Sequence, residues 1–138
     1  MMNRENVAYT TTPGTRQATI LIVENEASNR TLVERVLSTR GYRCLSAENG
    51  REALSIIDRE PVDLILTDLS MPVLDGYQTA QLIRQRPGMA EVPIVAVTAY
   101  ALGDVNERAM RVGCTEYLTK PFKPRQLLAV VERLLPAR

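Results

Sequence analysis

The sequence predicts an α/β fold in which five parallel strands are covered by helices on both faces. Three features carry that reading. Continuous apolar, β-branched runs recur at ATILIV (18–23), VDLILT (62–67) and VPIVAVT (92–98), the pattern of strands buried on both sides. Stretches with apolar residues at helical spacing separate them. The connections are short, and strict strand–helix alternation then requires right-handed crossovers and a parallel sheet. A chain of 138 residues with 45% hydrophobic content can bury such a core without disulfides or a structural metal.

Residues 1–17 (MMNRENVAYTTTPGTRQ) are polar and aperiodic and read as a flexible leader, with the domain running over 18–138. Ala18–Val23 is the first strand. The helix after it carries Leu32, Val33, Val36 and Leu37 at helical spacing and stops at Gly41. Arg43–Ala47 reads as a short strand, followed by a helix with Ala53, Leu54, Ile56 and Ile57 on its inner side. Val62–Thr67 is a buried strand that leads into the loop DLSMPVLDG (68–76) and the helix GYQTAQLIRQR (76–86). After Val92–Thr98, residues 99–113 form a loop and a helix that stops at Gly113. Thr115–Thr119 is the last strand. KPRQLLAVVERLL (123–135) is an amphipathic helix with Pro124 in its first turn, where a missing N–H costs nothing.

Composition removes several function classes. The 17 basic and 16 acidic residues leave a net charge of +1, without the basic excess of a nucleic-acid-binding domain. Aromatics stand at 4% with no Trp, which disfavours a base-stacking platform. With no His, a Ser-His-Asp triad, a Cys-His pair and an imidazole metal site are excluded. Cys44 and Cys114 are no disulfide framework. No signal-peptide core and no apolar run of bilayer length is present, so a cytoplasmic chain with reduced thiols, and no membrane partner, is expected.

In a doubly wound sheet, ligands bind beyond the carboxyl ends of the strands. Glu24-Asn25-Glu26 follow the first strand, Asp68 and then Ser70 the third, Thr98 ends the fourth, and Lys120-Pro121 follow the fifth. Only Lys120 and Lys123 among the basic residues are lysines. Each residue taken singly reads as structural: a loop Asp, a β-branched strand end, a solvated charge. Together they make a site. Oxygen donors from Glu24, Asn25 and Asp68 suit a hard cation such as Mg²⁺ better than Zn²⁺. A cation with Lys and hydroxyl donors can neutralise a phosphoryl group, and Asp68 is a carboxylate able to form an acyl phosphate.

The segments ILIVENE (20–26), LILTDLSMPVLDG (64–76), PIVAVTAYA (93–101) and EYLTKPF (116–122) resemble, in order and spacing, the receiver domains of two-component response regulators, from about Ala18 to Leu135. The resemblance implies a flavodoxin-like (βα)5 sheet of order 2-1-3-4-5. It also implies a phosphorylation-activated signalling switch, a phosphoprotein of phosphorelay signal transduction rather than an enzyme, whose only chemistry is intrinsic self-phosphorylation and autodephosphorylation. Asp68 would accept the phosphoryl group from a histidine kinase or histidine phosphotransfer protein. Glu24, Asn25, Asp68 and the backbone carbonyl of Ser70 would bind Mg²⁺. Thr98 and Lys120 would bond the phosphoryl group, Lys120-Pro121 would be cis, and Tyr117 would be the aromatic switch residue. Output would go to a downstream protein target, with no nucleic acid involved, through the face of the fourth helix, fifth strand and fifth helix. The length is similar to that of small stand-alone receivers, and a receiver excised from a hybrid kinase would read the same.

One departure bears on the metal. The family usually has Asp where Asn25 stands, so weaker Mg²⁺ binding is expected. The alternative function is a receiver-fold binding module that works without phosphorylation, favoured by Asn25 and opposed by Asp68, Thr98 and Lys120. An aspartyl-phosphate phosphatase would want a second Asp where Ser70 stands, and a dinucleotide enzyme would want a Gly-rich turn in place of ENEAS. On the readout face, Tyr100, Gly103 and Met110 suit a surface that repacks for a partner, although Met110 reads first as core filler. Cys44 and Cys114 should lie at opposite sheet edges, too far apart to bridge.

Overall fold

In the computed structural model, residues 17–69, 75–99 and 103–135 are described, the side chains at 103, 104 and 106 excepted. Strands and helices alternate: β1 (Thr19–Val23), α1 (Ala27–Ser38), β2 (Arg43–Ala47), α2 (Gly50–Ile57), β3 (Leu64–Asp68), α3 (Gly76–Arg84), β4 (Ile94–Thr98), α4 (Gly103–Arg111), β5 (Glu116–Thr119) and α5 (Pro124–Leu134). The sheet has the order β2-β1-β3-β4-β5, and every neighbouring pair is parallel. The expected architecture is therefore the observed one. β2 has the expected bounds, β1 and β5 each start one residue later than expected, and β3 and β4 start two residues later. β3 begins at Leu64 and takes in Asp68, whose Cα pairs with Val97. β4 begins at Ile94 because Pro93 has no N–H to give the ladder, although its carbonyl still accepts from the Ile65 amide at 3.0 Å.

The strand alternation divides the core in two. Leu21, Val23, Ile65 and Ala96 face Ala53, Ile56, Ala80 and Ile83 of α2 and α3. Ile20, Ile22, Leu64, Leu66 and Val95 face Leu37, Leu127 and Val131 of α1 and α5. Both cores close without a cross-link, and Cys44 and Cys114 are free thiols. Side-chain caps start two helices: Asn49 accepts from the Glu52 amide, and Asp75 and Gln78 cap each other's backbone at the start of α3. Two apolar helical residues are not core. Leu32 is 58% exposed and Met110 is 50% exposed, so Met110 is a surface residue and not the filler its spacing suggests. Among the described residues, no helix is long and apolar enough to cross a membrane.

Candidate functional site

Parallel strands bring their carboxyl ends to one rim, and three of the expected residues meet there. Asp68 ends β3, Glu24 follows β1, and Lys120 follows β5. Glu24 and Asp68 are 6% and 7% exposed. Such carboxylates need compensation, and they share one source of it. Lys120 Nζ donates to Asp68 Oδ2 at 2.9 Å and to Glu24 Oε1 at 3.1 Å. Burial works against the ammonium's charge, but hydrogen bonds and attraction from Asp68 and then Glu24 outweigh it and hold its pKa above the ordinary lysine value.

The backbone fixes these side chains. The Lys120 amide donates to the Thr98 carbonyl at 2.7 Å, so the residue that follows β5 is registered against the end of β4. Thr98 itself is buried, one residue beyond the Asp68 partner Val97. Lys120-Pro121 is cis. The Glu24 Oε2 atom accepts from the Glu26 amide at 3.0 Å, and Arg30 of α1 donates to the Glu24 carbonyl at 2.7 Å. These two bonds hold the acidic loop against the first turn of α1.

Asn25 stands exposed beside Glu24. With the Glu24 and Asp68 carboxylates it offers an all-oxygen donor set, which fits a hard cation that keeps several waters. Among the described residues, no group of three His, Cys, Asp or Glu side chains could hold a metal, and an amide at position 25 leaves two acids where an Asp would have supplied a third. Tyr117 lies on β5, 41% exposed. Ser70, Met71, Pro72 and Tyr100 lie outside the described residues.

The chain matches the model of the response regulator receiver domain over residues 20–132. It belongs to that family. The receiver is 42% identical over 118 residues to a probable transcriptional regulator ycf27 of Porphyridium aerugineum, covering 84% of this chain and 47% of the relative. The chain spans about half the length of the curated relatives it matches first. Among solved structures, it is similar to the chemotaxis protein CheY4 of Vibrio cholerae, with a TM-score of 0.84, 31% identity, and coverage of 86% of this chain and 99% of that one. It is also similar to the receiver domain of the sensor histidine kinase PA1611 of Pseudomonas aeruginosa, with a TM-score of 0.81, 36% identity, and coverage of 88% and 100%. That receiver holds a magnesium ion in its active-site cleft. Receivers of two-component systems are signalling modules and not enzymes in the ordinary sense.

The receiver also carries a feature that periodicity did not reveal. Beside Asp68 and Lys120 opens an apolar groove of about 410 Å³, walled by Ile22, Leu32, Val33, Leu66, Phe122 and Leu127, with Asn29 at its edge. Leu32 sits on the exposed rim of that wall. The sequence signal was the pair Pro121-Phe122 directly after Lys120, which places an aromatic next to the charged rim.

Proposed function

We propose that this receiver is a magnesium-dependent phosphorylation switch that takes its phosphoryl group on Asp68. The observation that carries the reading is the single ammonium of Lys120 bonded to both buried carboxylates. In the transfer, a carboxylate oxygen of Asp68 attacks phosphorus, a P–O bond forms, and the bond from phosphorus to the donor breaks. The donor leaves as imidazole from a phosphohistidine, or as acetate from acetyl phosphate. Mg²⁺ held by Glu24, Asn25, Asp68 and the Ser70 carbonyl would neutralise charge on the phosphoryl oxygens. Lys120 then exchanges its carboxylate partner for a phosphoryl oxygen, and Thr98 supplies a hydroxyl at the same end of the sheet.

The apolar groove beside Asp68 is the seat for the donor, a helix of a histidine kinase or phosphotransfer protein that brings its histidine over the carboxylate. The modification adds about −1.5 to −2 charges, and the response runs through Thr98 and Tyr117 to the face of α4, β5 and α5, which meets a downstream protein in the cytoplasm. In this reading the receiver domain is residues 18–138, after an N-terminal leader over residues 1–17.

The test is incubation with acetyl phosphate and Mg²⁺ followed by intact-mass measurement. A gain of one phosphoryl group in the natural chain, absent in Asp68→Asn, is expected. No gain at saturating Mg²⁺ would support the second reading, a receiver-fold binding module without phosphorylation, which the neutral Asn25 favours.

A further inference from the structure

α4 buries only Ala109 among its described side chains, yet its C-terminal end is built in detail. Gly113 takes a φ of 107°, its amide donates to the Met110 carbonyl at 3.1 Å, and the Cys114 amide donates to the Ala109 carbonyl at 3.0 Å. This is a doubly bonded glycine closure of the helix. From α3, Arg84 reaches across to it. Arg84 Nε and Nη2 donate to the Gly113 carbonyl at 2.9 and 2.6 Å, and Nη1 donates to the Met89 carbonyl at 2.9 Å. A Cβ at position 113 would stand 2.8 Å from Arg84 Cγ, so glycine is what lets the guanidinium approach.

A second contact fastens the same end to α3. Arg108, in the last turn of α4, lies over the ring of Tyr77 on α3, with Cζ 3.9 Å from the centroid. That geometry is an attractive cation–π pair. α3 is in turn anchored at the phosphoacceptor: the Gly76 amide donates to the Leu69 carbonyl at 3.1 Å, and a Cβ on Gly76 would stand 2.6 Å from Leu69 Cα. The path from Asp68 to the end of α4 is thus a chain of close contacts.

We infer that Tyr77 and Arg108 are positioning residues of the switch: beside the Arg84 grip on the Gly113 carbonyl, their contact fixes the C-terminal end of α4 on α3, so that α4 answers phosphorylation by pivoting about that end, with the largest displacement at its Gly103 end. The cause of the pivot rests on the phosphorylation reading. The clasp belongs to the unmodified protein.

Amide hydrogen exchange on the full chain, with and without acetyl phosphate and Mg²⁺, tests it. In the unmodified protein, Arg108→Gln and Tyr77→Leu should each speed exchange at residues 112–114 roughly two- to fivefold. The double variant should add little more, and Tyr77→Phe, which keeps a ring face, should exchange as the natural chain does. On phosphorylation the natural chain should change at 103–106 and stay constant at 112–114, whereas Arg108→Gln should spread the change to 112–114. Unchanged exchange at 112–114 in both single variants overturns the clasp. A phosphorylated natural chain that responds most at 112–114 overturns the pivot. If the natural chain gains no phosphoryl mass, the phosphorylation reading and the pivot both fail, and the unmodified variants still decide the clasp.

Discussion

Lys120 Nζ lies 2.9 Å from Asp68 Oδ2 and 3.1 Å from Glu24 Oε1, so one ammonium holds together two buried carboxylates that would otherwise repel. The same carboxylates are the acidic donors proposed for Mg²⁺, so the lysine and the metal compete for their charge. Lys120→Met should therefore destabilise the metal-free protein. Its side chain is 29% exposed and solvent screens part of the attraction, which sets the loss at about 1–3 kcal/mol. Urea denaturation should show that loss without Mg²⁺ and its recovery as Mg²⁺ is added. A deficit that Mg²⁺ leaves unchanged would mean that the ion does not bind at these carboxylates.

Asn25 offers a complementary test. It is exposed beside Glu24, so a charge introduced there acts through partly aqueous surroundings and is worth about 1 kcal/mol or slightly more. Asn25→Asp should tighten Mg²⁺ binding roughly five- to tenfold, measured by titration followed through amide chemical shifts. It should also lower stability slightly in the absence of metal, because a third negative charge joins a site with one ammonium. Equal affinity in the two proteins would show that the amide oxygen of Asn25 is as good a ligand as a carboxylate.

The sheet and its rim were legible because buried parallel strands leave continuous apolar runs, and because Glu24, Asp68, Thr98 and Lys120 each stand where such a run ends. The grip of Arg84 was not legible: its acceptors are backbone carbonyls of Met89, Val92 and Gly113, and a carbonyl leaves no signature in the side-chain sequence. Leu32 and Met110 show a second limit. Helical spacing tells which residues share a face, but not whether the same chain covers it, and both stay exposed. Strand starts were read too early where Pro93 and the bend at Asp63 keep an apolar run out of the ladder.

Gly76 is a glycine because of its neighbour. A methyl group there would overlap the carbonyl oxygen of Asp68 and stand 2.6 Å from Leu69 Cα, and these are backbone atoms that cannot swing aside. Gly76→Ala should cost about 1–3 kcal/mol of stability by overpacking, read as a lower urea midpoint. It should also slow phosphoryl uptake from acetyl phosphate if Asp68 is the acceptor as proposed, because relief of the overlap must displace the strand end that carries Asp68 or the start of α3. A normal uptake rate together with lowered stability would place the adjustment in α3 alone.

Both thiols should be silent at neutral pH. Burial pushes Cys44 up to about 11, against a weaker downward pull from the Ser38 hydrogen bond, and pushes Cys114 up to about 11 against the nearby Arg84 charge. At pH 8 roughly one native thiol in a thousand is then ionised, and the thiolate is the nucleophile. Labelling should therefore be slow in the folded protein and fast in urea, with half-exposed Cys44 ahead of buried Cys114. The sign for stability follows from the proton count. An unfolded thiol titrates near 8.5, so from there up to about 11 the folded state binds more protons than the unfolded state. The contribution is complete below pH 8.5 and is lost as pH rises through the folded value. Urea midpoints should fall between pH 9 and 11, and less steeply in Cys114→Ala than in the natural chain. Rapid labelling of both cysteines in folded protein at pH 8 would contradict the burial that raises them.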